Sequence, residues 1–311
     1  MNYTKRVFRT HLSNNNVEQE LRRVLDNLAG SAKYIGETIR NSVRGLTGTK
    51  NIYGEDQATL DVLADTIIRE RLQFETSFRV NALASEEQGQ IVQIEADKGR
   101  YSVTVDPLDG SSLLDVNLAV GSIFGVHEGG LLDQRTGRES LVAAMYVLYG
   151  PETTLMYTTG QGAHELTLDN VGNWVLAQEH IQMNGKGKIY SPGAKRSEWT
   201  ANHSTFIEDI EKQGHTLRYS GALVADVNHI LKKGGGIFSY PALKGKPEGK
   251  LRLLFELQPL AMIVEQAGGM ATDGKEHILN LAPEQLDQRS PIYLGSTFEV
   301  DLANQYPGSG K

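Results

Sequence analysis

A chain of 311 residues with 39% hydrophobic and 22% charged side chains is long enough for a large core in one or two domains and too apolar to be disordered. Its formal net charge of −7 argues against a general nucleic-acid binder, and no run reaches the ~18–20 apolar residues that span a bilayer. Cysteine is absent, which removes disulfides, thiolate catalysis and Cys-ligated zinc; the 8 histidines are scattered, so any metal is expected to be a hard, oxygen-liking ion such as Mg²⁺ or Mn²⁺.

In chain order, the first residues, MNYTKRVFRTHLSNNN, lack the apolar core of a secretory signal, so a cytoplasmic protein is expected. Apolar residues recurring every three or four positions predict a helix over 17–44 and a second from Gln57 to Leu72. Short β-type runs follow at Val80–Ala84, Ile91–Ile94 and Tyr101–Val105, and Gly121 to Tyr157 is strand-rich. Two more strands are expected around Ala163–Leu168 and Asn173–Leu176. A helix over His203–Gln213 leads into LRYSGALVADVNHIL, itself partly helical. The strands IFSYP and LRLLFEL flank a Lys/Gly/Pro loop at Lys244–Lys250, and a helix over Pro259–Ala267 stops at Gly268 and Gly269. Strands mixed with long helices predict an α/β architecture of layered sheets and helices, without a regular βαβ repeat. A seam at Asn184–Gly187 divides an N-terminal part, 1–183, from a C-terminal part, 184–311.

Carboxylates close four apolar segments: GEDQATLD (Glu55, Asp56, Asp61), ASEEQ (Glu86, Glu87), VDPLDGSSLLD (Asp106, Asp109) and LRLLFEL (Glu256). Glu256 is either costly to bury unpaired or, by alternation with Arg252, turned to solvent. Adjacent acids such as Glu86–Glu87 also occur in solvated loops. The third segment carries more. After a strand, Asp106-Pro107-Leu108-Asp109 turns two carboxylates and the Leu108 carbonyl toward one point, while Gly110, Ser111 and Ser112 offer amides and hydroxyls just beyond. A helix beginning near Ser111 would favour a phosphate there. Metal-binding carboxylates beside an anion-binding turn fit two-metal phosphate hydrolysis by water. The chain has neither a GxSxG elbow nor a P-loop, which disfavours a serine nucleophile and nucleotide hydrolysis. Residues 216–252 add Arg218, Tyr219, Tyr240, Lys250 and Arg252, suited to a second phosphate; Lys244 and Lys246 read as a solvated loop. Acids and cations together suggest a sugar with two phosphates.

Taken together, GEDQATLDVLAD, ASEEQ, VDPLDGSS, AVGSIFGVHEG, LRYSGALVADV, GGIFSYP, GKLRLLFELQPLAMIVEQAGGMATDGK and PIYLGS resemble class I fructose-1,6-bisphosphatase over about residues 17–300. The sedoheptulose-1,7-bisphosphatases share most of these blocks. The resemblance implies the sugar-phosphatase fold, layered α-β-α-β-α, a homotetramer, and hydrolysis of the 1-phosphate of fructose 1,6-bisphosphate in gluconeogenesis or carbon fixation with two or more Mg²⁺ (or Mn²⁺) ions. It implies metal ligation by Glu55, Glu86, Glu87, Asp106, the Leu108 carbonyl, Asp109 and Glu256. Asp61 and Glu87 would activate water. Asp109, Gly110, Ser111, Ser112 and Arg252 would meet the transferred phosphate, and Ser191, Tyr219, Tyr240 and Lys250 would hold the sugar and its other phosphate. Arg218 would reach a neighbouring subunit's site.

Three departures from the family pattern stand out. Ser191-Pro192-Gly193-Ala194 replaces the Asn-Glu-Gly-Tyr of many fructose bisphosphatases and resembles the sedoheptulose enzymes. Leu223 replaces a methionine often found in the sugar pocket of the family. Glu18-Gln19 replaces the Thr-Gly of the animal AMP site, where acids at 18 and 20 would repel a phosphate, although Arg100-Tyr101 keeps a basic-aromatic pair. The rivals are a sedoheptulose or dual-specificity bisphosphatase, an inositol monophosphatase-like enzyme with little use for the cationic half, and a non-catalytic sugar-phosphate sensor, which would have lost acidic ligands.

Overall fold

The computed structural model describes residues 7–41, 46–50, 56–74, 80–94 and 99–306. Three helices come first, α1 (Phe8–Asn14), α2 (Gln19–Asn41) and α3 (Thr59–Phe74), with the ladder β1 (Leu46–Lys50) and β2 (Asp56–Ala58) between the last two. The apolar spacing of α2 puts Leu21, Val24, Leu25, Leu28, Ala32 and Ile35 on one buried face, as its periodicity predicts. Residues 42–44 of that expected helix lie outside the described residues. Helix α1 was not expected; it is one short stretch of chain whose Phe8 and Leu12 are buried by tertiary packing.

The larger sheet holds β3 (Val80–Ser85), β4 (Val92–Gln93), β5 (Tyr101–Asp109), β6 (Val120–Glu128), β7 (Leu141–Tyr149), β8 (Thr153–Thr158), β9 (Ala163–Leu168) and β10 (Trp174–Ile181). Their order is β10-β9-β8-β7-β6-β5-β3-β4, and every pair is antiparallel except β3 with β5. The short helix α4 (Gly137–Ser140) precedes β7 and is closed by a Thr136–Glu139 capping box. After β11 (Ile189–Pro192) come α5 (Ala201–Lys212), β12 (Thr216–Leu217), α6 (Leu223–Lys232), β13 (Gly236–Tyr240), β14 (Leu251–Arg252), α7 (Gln258–Gln266), β15 (Met270–Thr272), β16 (Arg289–Ser290), β17 (Ile292–Gly295) and α8 (Thr297–Asn304). The second sheet runs β12-β11-β13-β17-β15, and β14 pairs with β16 apart from it.

Three apolar clusters set the layers. The first binds α1–α3 to one face of the larger sheet through Leu25, Leu28, Ile68, Val103 and Phe124. The second packs α6 and α7 between the two sheets through Ile123, Tyr146, Val227, Ile263 and Leu294. The third covers the outer face of the smaller sheet with α5 and α8 through Phe206, Ile210, Tyr293 and Val300. The result is the α-β-α-β-α arrangement, with two sheets sharing a central helical layer.

One expected element is corrected. LRLLFEL is not a strand: two residues pair as β14, then Leu253–Leu257 form a single π-helical turn that runs into α7. Leu254 and Phe255 are drawn into a separate buried cluster with Ala84 and Leu131, and that packing overrides the β propensity of the run. The reading that Arg252 and Glu256 share a solvent face fails with it, since both are buried.

Candidate active site

In a regular strand, residues three apart point to opposite faces. Asp106 and Asp109 escape that rule because β5 carries a bulge: Asp106 pairs with Ile123 and Asp109 with Gly121, so Pro107 and Leu108 together face Ser122. Proline suits the bulge because it has no N–H to offer the ladder, and the Ser122 hydroxyl donates to its carbonyl at 2.6 Å. Asp106 Oδ1 accepts the Leu108 amide at 3.0 Å, which fixes the turn. Strand β5 therefore ends four residues later than its apolar run suggests. Gly110 follows in the left-handed region at φ 79, and Ser111 and Ser112 open a 3₁₀ turn over Ser111–Val116, where a longer helix was an option. The first amides of such a turn have no acceptor within it.

The other acids arrive by pairing and packing. Because β3 runs parallel to β5, both carboxyl ends reach the same sheet edge, and the Glu86 amide donates to the Val105 carbonyl at 2.9 Å. Glu86 and Glu87 thus stand beside Asp106. Glu256 comes from the π turn, where its Oε2 accepts the Arg252 amide at 2.5 Å. Arg252 Nη1 pairs with Glu86 Oε1, joining the two halves of the chain through side chains 5% and 15% exposed. Asp61 lies in the first turn of α3 and is also buried.

One carboxylate oxygen from each of Asp106, Asp109 and Glu256 lies within 4.8 Å of the others, and all three residues are buried. Burial, with Glu86, Asp109 and Glu256 nearby, holds Asp106 well above the usual carboxylate range. Burial pushes Asp109 up to about 7, against the pull of the Val224 amide, and burial with Asp109 nearby pushes Glu256 up to about 7. Three buried, converging carboxylates that resist ionising together are the donor set a hard divalent cation would relieve. The residues fit the metal inferred from the sequence.

These acids line a cleft of about 530 Å³ that also receives Leu108, Gly110, Ser111 and Ser112. Tyr219, Tyr240, Lys250 and Arg252 line the same cleft, with the Lys250 ammonium 6.0 Å from the Tyr240 ring centre. Two sequence candidates stand apart. Ser191 is fully buried and its hydroxyl donates to the Arg218 carbonyl, while the Arg218 guanidinium turns back to the Leu217 carbonyl at 2.7 Å; neither lines the cleft. Glu55 lies outside the described residues.

Ala194 and Leu223, both marked in the sequence as departures from the family pattern, line the cleft. Lys195 and Glu198 line it too and escape a reading of the sequence, and the Val224 amide donates to Asp109 Oδ2 at 2.7 Å. Asp226 accepts the Ser220 amide at 2.9 Å and so braces the loop before α6; burial raises it to about 6. An acid in the first turn of VADVNHIL was a readable helix-start signal for it. Lys195 and Glu198 sit in a polar stretch with no such signal.

The family described as "Fructose-1-6-bisphosphatase, N-terminal domain" matches residues 2–179, and its C-terminal counterpart matches residues 183–307. The class 1 fructose-1,6-bisphosphatase of Geobacter sulfurreducens is 48% identical over 301 residues, 96% of this chain and 95% of its own. That of Campylobacter curvus is 41% identical over 93% of this chain and 95% of its own. The crystal structure of Leishmania major fructose-1,6-bisphosphatase in holo form superposes with a TM-score of 0.91 at 33% identity, covering 96% of this chain and 98% of that one. A bulge-built carboxylate cluster, a five-layer fold and likeness along nearly the whole chain lead to one placement: this chain belongs to the fructose-1,6-bisphosphatase family.

Proposed function

We propose that the chain is a sugar-bisphosphate phosphatase that hydrolyses the 1-phosphate of fructose 1,6-bisphosphate, giving fructose 6-phosphate and phosphate, with Mg²⁺ as cofactor. The observation that carries this is the convergence of Asp106, Asp109 and Glu256 beside the Gly110–Ser112 turn in a cleft that Tyr219, Tyr240 and Lys250 also line. Asp106, Asp109, Glu256, Glu86 and Glu87 would hold the cations. Bound there, divalent ions neutralise phosphoryl charge and acidify water.

The chain's own groups supply the rest. Ser111 and Ser112 hydroxyls, with the amides of Gly110–Ser112, hold the phosphoryl oxygens as charge develops on them. Carboxylate oxygens of Asp61 and Glu87 share the one proton given up by the attacking water as its oxygen bonds phosphorus. The P–O bond to the C1 oxygen breaks, and that oxygen leaves with a proton taken from solvent. Arg252 keeps Glu86 oriented through their buried pair. Tyr240 and Lys250 hold the sugar end, so that the scissile phosphate is presented in one register. Purified protein, Mg²⁺ and fructose 1,6-bisphosphate test this by phosphate release: Glu87→Gln is expected to lower kcat ~10²–10⁴-fold. Undiminished release by Glu87→Gln sinks the role given to Glu87, and no release by the unaltered protein sinks the function.

A second substrate has one observation in its favour. The small Ala194 lines the cleft on the segment that resembles the sedoheptulose enzymes, leaving room for a longer sugar. Comparing kcat/KM for fructose 1,6- and sedoheptulose 1,7-bisphosphate decides it; a preference for the seven-carbon sugar above about tenfold, or ~1.4 kcal/mol, reverses the assignment.

A further inference from the structure

We infer that Lys195 is a specificity residue of the cleft, a second cation for the phosphate that is retained; this rests on the sugar-bisphosphate reading above. Among the described residues lining the cleft, the cations are Lys195, Lys250 and Arg252. Arg252 is committed to Glu86 in a buried pair. A sugar bisphosphate brings a second phosphate that the acidic end of the cleft would repel, so its seat must lie where the remaining two cations are.

Tyr240 locates that seat. Lys250 Nζ lies 6.0 Å from its ring centre. Gly193 presses against the same ring so closely that an added Cβ would stand 2.3 Å from Tyr240 Cδ2. Lys195 therefore leaves the backbone two residues from a direct contact with Tyr240, so both cations lie on segments that meet this residue, and both line the cleft.

The turn that projects Lys195 is built and held. The Gly193 amide donates to the Ser239 carbonyl at 2.7 Å, and the indole N–H of the buried Trp199 donates to the Gly193 carbonyl at 2.9 Å. Ala194 between them takes φ 66, a left-handed conformation that a residue with a Cβ adopts only when its surroundings impose it. Lys195 then meets Glu198 at 3.5 Å, with its side chain 81% exposed. Glu198 is the acid of this end of the cleft, so Lys195 both offsets it and adds a donor for the phosphate.

The test uses fructose 6-phosphate, which carries only the retained phosphate, alongside turnover of the bisphosphate. Lys195→Met changes an exposed side chain and leaves the fold intact. It is expected to weaken fructose 6-phosphate binding about 5–10-fold by calorimetry and to raise KM for fructose 1,6-bisphosphate by a like factor, with kcat within about twofold. Lys195→Arg is expected to restore both, and Glu198→Gln added to Lys195→Met to recover part of the loss. Binding of fructose 6-phosphate by Lys195→Met within about twofold of the unaltered protein overturns the proposal. An equal loss of affinity for inorganic phosphate alone overturns it too, because the effect would then be general. Unaltered protein that binds fructose 6-phosphate without releasing phosphate from the bisphosphate would end the phosphatase reading and leave Lys195 judged on the binding arm.

Discussion

The amide of Val224 donates to Oδ2 of Asp109 at 2.7 Å, so the first turn of α6, in the central helical layer, is bonded to the carboxylate that ends β5. A helix N-terminus and a carboxylate attract each other, and the bond couples a cation ligand to the packing between the two sheets.

That coupling gives a pH prediction. Asp109 is raised from 3.8 to about 7 mainly by burial. Between those values the folded chain keeps a proton that the unfolded chain has lost, so this residue's contribution to metal-free stability falls as pH rises. Asp109→Asn keeps an oxygen for the Val224 amide and does not titrate. In chelator, its stability relative to the unaltered protein should grow from about pH 5 to about pH 8, by on the order of 2 kcal/mol, while catalysis is lost. Urea melts at the two pH values check it; a relative stability that stays flat or shrinks contradicts the placement of Asp109.

The Arg252–Glu86 pair makes a second case. Both side chains are mostly enclosed, and removing one partner leaves the other charged and buried. Arg252→Met should cost about 3 kcal/mol in denaturant, and Arg252→Met with Glu86→Gln appreciably less. A single-variant loss below about 1 kcal/mol would mean the pair is solvated.

Gly110 is required twice over. Its φ of 79 disfavours any side chain, and an added Cβ would stand 2.5 Å from the Ala222 Cβ, at the loop that precedes α6. Gly110→Ala should lower stability by about 2–3 kcal/mol and cut phosphate release. Adding Ala222→Gly should return part of the stability, since it removes the collision and leaves the strain; no recovery would show that the collision is absorbed elsewhere.

Asp61 tests the proton-transfer assignment separately from binding. It is buried in the first turn of α3 and lines the cleft. Asp61→Asn should lower kcat about 100-fold with KM within about twofold. A rise in KM with kcat preserved would make it a binding group.

Much of the site could be read where neighbours in sequence are neighbours in space. Asp106, Asp109, Gly110, Ser111 and Ser112 form one turn, and their residue types declare a carboxylate pair followed by an anion-binding bend. The spacing of α2 was equally plain, because one helix face is a local property. LRLLFEL was misread for the opposite reason: its composition suits a strand, and only packing of Leu254 and Phe255 against Ala84 and Leu131 turns it into a π turn.

The amino-acid sequence on its own determined the chemistry available here: oxygen donors without thiols, a carboxylate turn followed by hydroxyls, and a cationic and aromatic stretch over residues 216–252. Tertiary structure decided which of them meet and in what charge state. Arg252 reaches Glu86 across 166 residues, and Val224 reaches Asp109 across 115. Lys195 joins the cleft beside a turn that packs Gly193 on Tyr240 and bonds it to Ser239 and Trp199. Contacts of that separation exist only once two sheets close on a shared helical layer. The same closure removes water from Asp106, Asp109 and Glu256, and desolvation of like charges is what shapes that cluster for a cation.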